Sequence, residues 1–242
     1  ANEIIEIFGN HLSTSLNVPI LNLVSYDYDG ISSDRTYESV SAGNAGVVYI
    51  DNSLGISNLA IPLFSSNYLS LSHYYSQSVE YTTLFGNKMN INLFEKISII
   101  NETILCYTNG TGYNEYFYLD EEINKYFSED GNSSIIEKVG SNYIYTFDSI
   151  RKEFNPNGVL VKTTLNHDNP DEKLIKEINY VINNNKISEV YTEDLKLLFN
   201  YETVNSIELL DFITVQKKVD DYFVDYIKIE YEYDTNCNLV NI

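Results

Sequence analysis

From Val47 onward, short runs rich in β-branched and aromatic residues recur about every ten positions, each closed by Asn, Gly or Ser. The runs are VVYIDN, LAIPLF, YLSLSHYYS, VEYTTLF, INLFEKISII, ETILCYTN and YNEYFYL. A strand puts alternate side chains on opposite faces, so such runs suit a half-buried pleated sheet. Breaks fall at Asn109-Gly110, Asp130-Gly131 and Asn157-Gly158, dipeptides that tolerate φ > 0 and mark hairpins. The pattern predicts an all-β fold, antiparallel β-hairpins in an extended, twisted sheet with few short helices. One helix is expected over DEEINKYF, Asp120 to Phe127. A second helix start, Asn169-Pro170-Asp171-Glu172, puts Leu174, Ile178 and Val181 on one helical face but competes with a strand reading of IKEINYVI. At the start of the chain, ANEIIEIFGNHL reads as a short helix or a first strand, and NVPILNLVSYDYDG as a strand entering a loop.

Composition narrows the function classes. The chain of 242 residues has 35 acidic and 15 basic side chains, a formal net charge of -20. Such a charge repels phosphate backbones, so no nucleic-acid partner is expected. Tyrosine is abundant, with 22 copies against no tryptophan, and its apolar ring with a polar tip fits a half-exposed sheet. No apolar run approaches the length of a spanning helix, about 20 residues, so no transmembrane segment is expected. Cys106 and Cys237 form no zinc or disulfide framework; they can pair or stay free, and two free thiols is the preferred reading. The chain opens at Ala1 without a signal-peptide pattern, as an excised secreted domain or a cytosolic protein would.

Internal similarity adds a second constraint. FNPNGVLVKT, YVINNNKISEV, FNYETVNSIELL and YEYDTNCNLVNI each run from an aromatic through a polar turn to aliphatic residues. Three of them open alike: Tyr180-x-Ile182-Asn183, Phe199-x-Tyr201-Glu202 and Tyr231-x-Tyr233-Asp234. Units this small cannot bury their own faces and must stack on neighbours. Tyr231 and Tyr233 should share one face, with Glu232 opposite and Asp234 accepting hydrogen bonds from turn amides. Leu239 and Ile242, three apart, fall on opposite faces of a regular strand. The repeats favour strand-turn-strand over helix for Lys173 to Val190.

On these residues the chain resembles the YD-repeat, or Rhs, family of bacterial surface and polymorphic-toxin proteins, as a divergent member or segment. The family phrase, close to Y-x-Y-D-x-N-G-N-L-x-x-I, is met by Tyr231, Tyr233, Asp234, Asn236, Asn238, Leu239 and Ile242, with Cys237 in place of Gly. The segment before the family's repeats is similar to Ser72-His73-Tyr74-Tyr75-Ser76. It is similar also to Gly86 to Leu93, with Met89 for Trp, and to Asn109 to Phe117, with Glu115 for His. Ser128 to Gly131 sits where the family has an acidic Gly turn. The resemblance implies three regions: an N-terminal strand and loop region (1–44), a β-rich region like that preceding YD repeats (45–150), and divergent hairpin repeats (151–242). It implies a structural, non-enzymatic β-scaffold, secreted or on the bacterial cell surface, whose partners are adjoining repeats or an effector domain of a larger polypeptide. No effector or self-cleavage motif of the family is present, so the chain reads as a segment or small relative of a hairpin stack.

Candidate chemistry is sparse. His11, His73 and His167 have no metal-ligand spacing, and His73 reads as a packed strand histidine. There is no G-x-S-x-G elbow, and Gly110-x-Gly112 is more simply a turn than a phosphate loop. Asp27, Asp29 and Asp34 around Gly30 are the best cation candidates, set against an ordinary acidic loop; calcium is the ion they would suit, although the spacing is not that of an EF-hand. No other cofactor is expected. N-x-S/T triplets at Asn101, Asn109 and Asn132 read as accidents of an Asn-rich chain. Tyr201, Tyr231 and Tyr233 are expected to serve packing. The alternative to the scaffold is an adhesin or carbohydrate-binding β module that stacks a surface glycan on exposed tyrosines. The uncharged run CNLVNI is expected to leave an open strand edge through which the chain self-associates or binds a following segment.

Overall fold

The computed structural model describes residues 36–242 apart from 44–45, 53–54, 67, 78–80, 130 and 132. The first sheet has five strands in the order β1-β2-β3-β4-β7. They are β1 (Tyr37–Ser41), β2 (Val47–Asp51), β3 (Ser57–Ser65), β4 (Ser70–Ser76) and β7 (Met89–Ile91), with a small hairpin of β5 (Thr82–Thr83) and β6 (Gly86–Asn87) inserted before β7. The second sheet has thirteen antiparallel strands in strict chain order. These are β8 (Lys96–Ile99), β9 (Ile104–Thr108), β10 (Asn114–Asp120), β11 (Lys125–Ser128), β12 (Ile135–Val139), β13 (Asn142–Phe147), β14 (Ile150–Phe154) and β15 (Leu160–Leu165). They continue as β16 (Lys176–Asn183), β17 (Lys186–Tyr191), β18 (Leu195–Val204), β19 (Ile207–Val219) and β20 (Tyr222–Glu230). A last hairpin, β21 (Glu232–Tyr233) with β22 (Leu239–Asn241), leaves the sheet. Residue 150 opens β14, inside the long sheet.

Local chemistry explains the meander. Two-residue turns need positive φ, which Asn, Asp and Ser supply here as often as Gly. Asn184 and Asn185 (φ 51° and 61°) join β16 to β17, and Asn205 and Ser206 (φ 49° and 68°) join β18 to β19. Asp148 and Asp220, both at positive φ, turn β13 into β14 and β19 into β20.

The long sheet serves two cores. From β8 to β15 it curls, and every one of these strands adds a side chain to one interior cluster: Ile97, Leu105, Phe117, Tyr126, Ile136, Tyr145, Phe154 and Leu160 are examples. The curl brings β8 back onto the β14–β15 connection. There the Ile97 N–H donates to the Gly158 carbonyl (2.7 Å), the Leu160 N–H donates to the Glu95 carbonyl (3.4 Å), and Lys96 bridges Val159. This is one bridge rather than a ladder, so the sheet remains open. Beyond β15 the sheet packs against the five-stranded sheet. Ile178, Val190, Leu197, Phe199, Ile213 and Val215 meet Leu69, Leu71, Met89 and Ile91 there, with Phe85 and Tyr231 in the same cluster.

Three expectations are corrected. The helix over Asp120 to Phe127 does not form: Asp120 ends β10, its carboxylate accepts the Glu122 N–H (3.0 Å), and Asn124 at φ 56° reverses the chain into β11. An isolated helix of two turns is marginal, whereas Tyr126 here pairs with Leu119 and Ile136 across two ladders. The run INLFEKISII splits, with Ile91 in the first sheet and β8 opening the second. Of VEYTTLF, whose Val79 and Glu80 lie outside the described residues, the rest forms only the two-residue β5, with the Thr83 hydroxyl turned onto the Gly86 and Met89 carbonyls. The Asn169-Pro170 start gives a single 3-10 turn, Glu172–Leu174, capped by Asp171, before β16 takes over. Among the described residues there is no α-helix.

The two cores set expected stabilities. Phe154→Ala, at a fully buried ring in the curl, should cost about 3–5 kcal/mol. Tyr222→Ala, at a side chain 77% exposed, should stay within about 0.5 kcal/mol of the parent. Urea denaturation of both variants measures the difference.

Candidate functional site

The repeat residues converge. Phe199 and Tyr231 are buried in the sandwich core, and Tyr180, Ile182, Tyr201, Tyr233 and Leu239 pack against it. The Tyr201 hydroxyl donates to the Ile187 carbonyl (2.8 Å). Tyr231 meets buried His73, with Nε2 3.1 Å from the phenol oxygen and the rings 5.1 Å apart. The Tyr233 hydroxyl is buried with no hydrogen-bond partner. Glu232 is exposed between the two tyrosines, and Ile242 is exposed as its offset from Leu239 implies.

The turn residues reveal a motif with the same hydrogen bonds in three places. In each, an Asn or Asp side chain accepts backbone N–H groups two and four residues on, and its own carbonyl accepts from the residue three on, which has positive φ. Asn155 Oδ1 accepts from Asn157 and Val159 (both 3.0 Å), with Gly158 at φ 74°. Asn109 Oδ1 accepts from Thr111 (2.9 Å) and Tyr113 (3.0 Å), with Gly112 at φ 90°. Asp234 Oδ1 accepts from Asn236 (2.8 Å) and Asn238 (2.9 Å), with Cys237 at φ 62°. In all three the first residue's N–H donates to the carbonyl of the last (2.9 Å). The structure thus moves the key positions. Gly110 keeps ordinary φ and lies against the backbone of Asn92, so Gly112 is the left-handed residue after Asn109. Gly131 (φ 68°) turns between β11 and β12, while Asp130 lies outside the described residues.

Two of these turns also dock. The carbonyl of the left-handed residue accepts an N–H from an earlier segment: Ile97 onto Gly158 (2.7 Å) and Asn87 onto Cys237 (2.8 Å). Asn87 Nδ2 adds a bond to Asn238 Oδ1 (3.1 Å). At Gly158 the approach is close enough that an added Cβ would fall 1.8 Å from the Ile97 oxygen. The Cys237 and Cys106 thiols are both buried and are not joined in a disulfide.

A polar cluster missed from the sequence sits inside the curl. Lys152 Nζ donates to Glu95 Oε2 (2.6 Å) and to the Tyr107 hydroxyl (2.8 Å), which itself donates to Glu95 (2.5 Å). Tyr107 stacks on Tyr145 at 4.6 Å, and the ammonium lies about equally far from both ring centres, 5.4 and 5.5 Å. Burial, then the Glu95 charge, pushes the Tyr107 phenol well above its usual range, and burial does the same for Tyr180. Both phenols stay protonated near neutrality and can donate but not act as bases. The available signal was Lys152 two residues before Phe154, an inward position on β14.

No group of three or more His, Cys, Asp or Glu side chains among the described residues is placed to hold a metal. Asp27, Asp29 and Asp34 lie outside the described residues, as do His11 and Asn132. Among the described residues a groove lies where the β3–β4 turn meets the long sheet. Two hollows of 340 Å³ meet there at Tyr68, Thr192 and Asp194; one extends to Tyr226 and Lys217, the other to Tyr191 and Lys176. Matched against known protein families, the chain fits none, and no curated protein is similar enough to count as a relative.

Three measurements follow. Gly112→Ala meets only the strain of a left-handed alanine, about 1–2 kcal/mol, since its nearest neighbour is 3.7 Å away; Gly158→Ala adds a backbone clash and should be clearly worse by urea denaturation. Hydrogen bonds from Asn238 hold the Asp234 carboxyl below its usual value, so its stabilisation is full above the unfolded pKa and disappears as pH falls through the folded one. Asp234→Asn, which keeps the Oδ1 acceptor, should flatten that acidic limb. Burial lowers His73 from 6.5 to about 3, so the unfolded chain binds the extra proton and stability falls as pH drops from about 6.5 towards 3. His73→Gln should remove this slope in denaturation curves taken across that window.

Proposed function

We propose that the chain is a non-enzymatic structural β-scaffold, a divergent piece of a YD-repeat-like hairpin wall in a secreted or cell-surface bacterial protein. The supporting observation is the docked turn. The phrase that carries the resemblance, Tyr231 to Ile242, folds as an Asp-headed turn whose left-handed residue accepts a backbone N–H from Asn87. The turn at Asn155 makes the same bonds and receives Ile97 in the same way. A motif that repeats its own hydrogen bonds and its mode of docking is a building unit, and stacked units make walls. The repeat tyrosines support this role: they fill the core, and burial keeps their phenols un-ionised. In this reading the partners are adjoining repeats or an effector carried by the same polypeptide.

Electron cryomicroscopy of the protein made from the whole reading frame tests the proposal. The expected result is this chain as one stretch of a continuous hairpin-built wall, with further Y-x-Y-D turns docked in series. A separate globular unit with no repeat on either side overturns it.

A further inference from the structure

We propose that the groove running from Tyr226 past Tyr68 to Tyr191 binds a neutral oligosaccharide. This goes beyond the scaffold reading and does not depend on it, since the groove lies on the β3–β4 turn and the ends of β17 to β20. Three tyrosines line it and remain exposed: Tyr226 by 64%, Tyr68 by 49% and Tyr191 by 36%. Tyr81, Tyr118 and Tyr222 are exposed too but line neither hollow; it is the placing of three open rings along one concave path that calls for a ligand with flat apolar faces.

The polar groups set the ligand's charge. The groove offers acceptor and donor together, the Asp194 carboxylate and the Lys217 ammonium, with Thr192 between the two hollows. Lys176 lies over the Tyr68 ring, 5.4 Å from its centre, Glu193 adds a second carboxylate to the same hollow, and Glu177 is already paired with Lys162 (2.7 Å). Balanced charge gives no strong preference for an ion, and the net charge of -20 repels polyanions such as sulfated glycans. Paired donors and acceptors between stacking rings match the hydroxyls and C–H faces of a neutral sugar. Each hollow is at the small end of the range for ligand sites, about 300–1,000 Å³, and the two meet at Tyr68. The ligand is therefore a chain of linked rings and not a single sugar.

The site is also pre-organised. The Thr192 hydroxyl accepts the N–H groups of Leu195 (3.1 Å) and Asp194 (3.4 Å), and the Asp194 carbonyl accepts from Lys218 (2.8 Å). The loop between β17 and β18 is thereby fixed before any ligand arrives, which lowers the ordering cost of binding.

Saturation-transfer NMR on the full chain tests this, with maltohexaose, cellohexaose and the hexamer of N-acetylglucosamine as neutral probes and a heparin hexasaccharide as the charged one. At least one neutral probe should bind at millimolar concentration, and heparin should not. Tyr68→Ala and Tyr226→Ala should each weaken that binding about tenfold by calorimetric titration, while Tyr222→Ala, an exposed tyrosine outside the groove, should leave it unchanged. Both groove variants remove exposed rings, and unchanged denaturation midpoints would confirm that they fold. Silence from all three neutral probes overturns the proposal. So does binding of heparin alone, or binding that Tyr222→Ala weakens as much as Tyr68→Ala.

Discussion

One backbone hydrogen bond made in two places organises this molecule. A residue forced into left-handed conformation at the end of an Asx-headed turn points its carbonyl away from its own hairpin, where an earlier segment can donate to it. At Gly158 the donor is Ile97, and the bond holds the curl of β8 to β15 around its aromatic core. At Cys237 the donor is Asn87, and the bond pins the last hairpin over the sandwich core, where Tyr231 reaches His73. The first bond joins segments that are not chain neighbours, and the second joins the two sheets' shared core to the last hairpin. Asparagine and aspartate can head the turn equally because both offer Oδ1 to the same two amides. The left-handed position tolerates a side chain only where the docked backbone stands far enough away, as at Cys237 and not at Gly158.

The all-β meander was legible because strand and turn signals are local. Alternating Tyr, Ile and Val between Asn-rich corners specify hairpins without reference to distant residues, and hairpins joined in order make this sheet. Aromatic residues at spacing two, Phe199 with Tyr201 and Tyr231 with Tyr233, pointed to one packed face, and they share one core. What the sequence hid is non-local. Nothing in INLFEKISII marks the crossing from one sheet to the other. The Glu95–Lys152 pair joins residues 57 apart that read as ordinary surface charges until the curl places them inside. The groove around Tyr68 brings together the β3–β4 turn and the far end of the long sheet, and no spacing announces that.

Two polar groups at the cores, partly buried Lys152 and buried His73, are built differently. Lys152 has its carboxylate, its phenol and two aromatic faces, so its charge is compensated on every side. His73 has one phenol oxygen and an unpartnered Nδ1, so only its neutral form is tolerated. The first arrangement specifies how β14 faces β8 and β9, because an unpaired buried ammonium would cost several kcal/mol. The second makes the seat of the last hairpin dependent on a proton staying away.

The strict chain order of the long sheet has a kinetic consequence. Each strand pairs with the one made just before it, so every closure along β8 to β20 spans a short loop and costs little chain entropy. The sheet can therefore zip in the direction of synthesis, with each new hairpin templated on an edge already present. The slow closures are the few that bridge long separations, above all His73 to Tyr231 across 158 residues and Asn87 to Asn238 across 151. A chain emerging from a ribosome or a secretion channel would carry a nearly finished curl while its sandwich core still waited for the β21–β22 hairpin, making a late-arriving hairpin the latch of the first core begun.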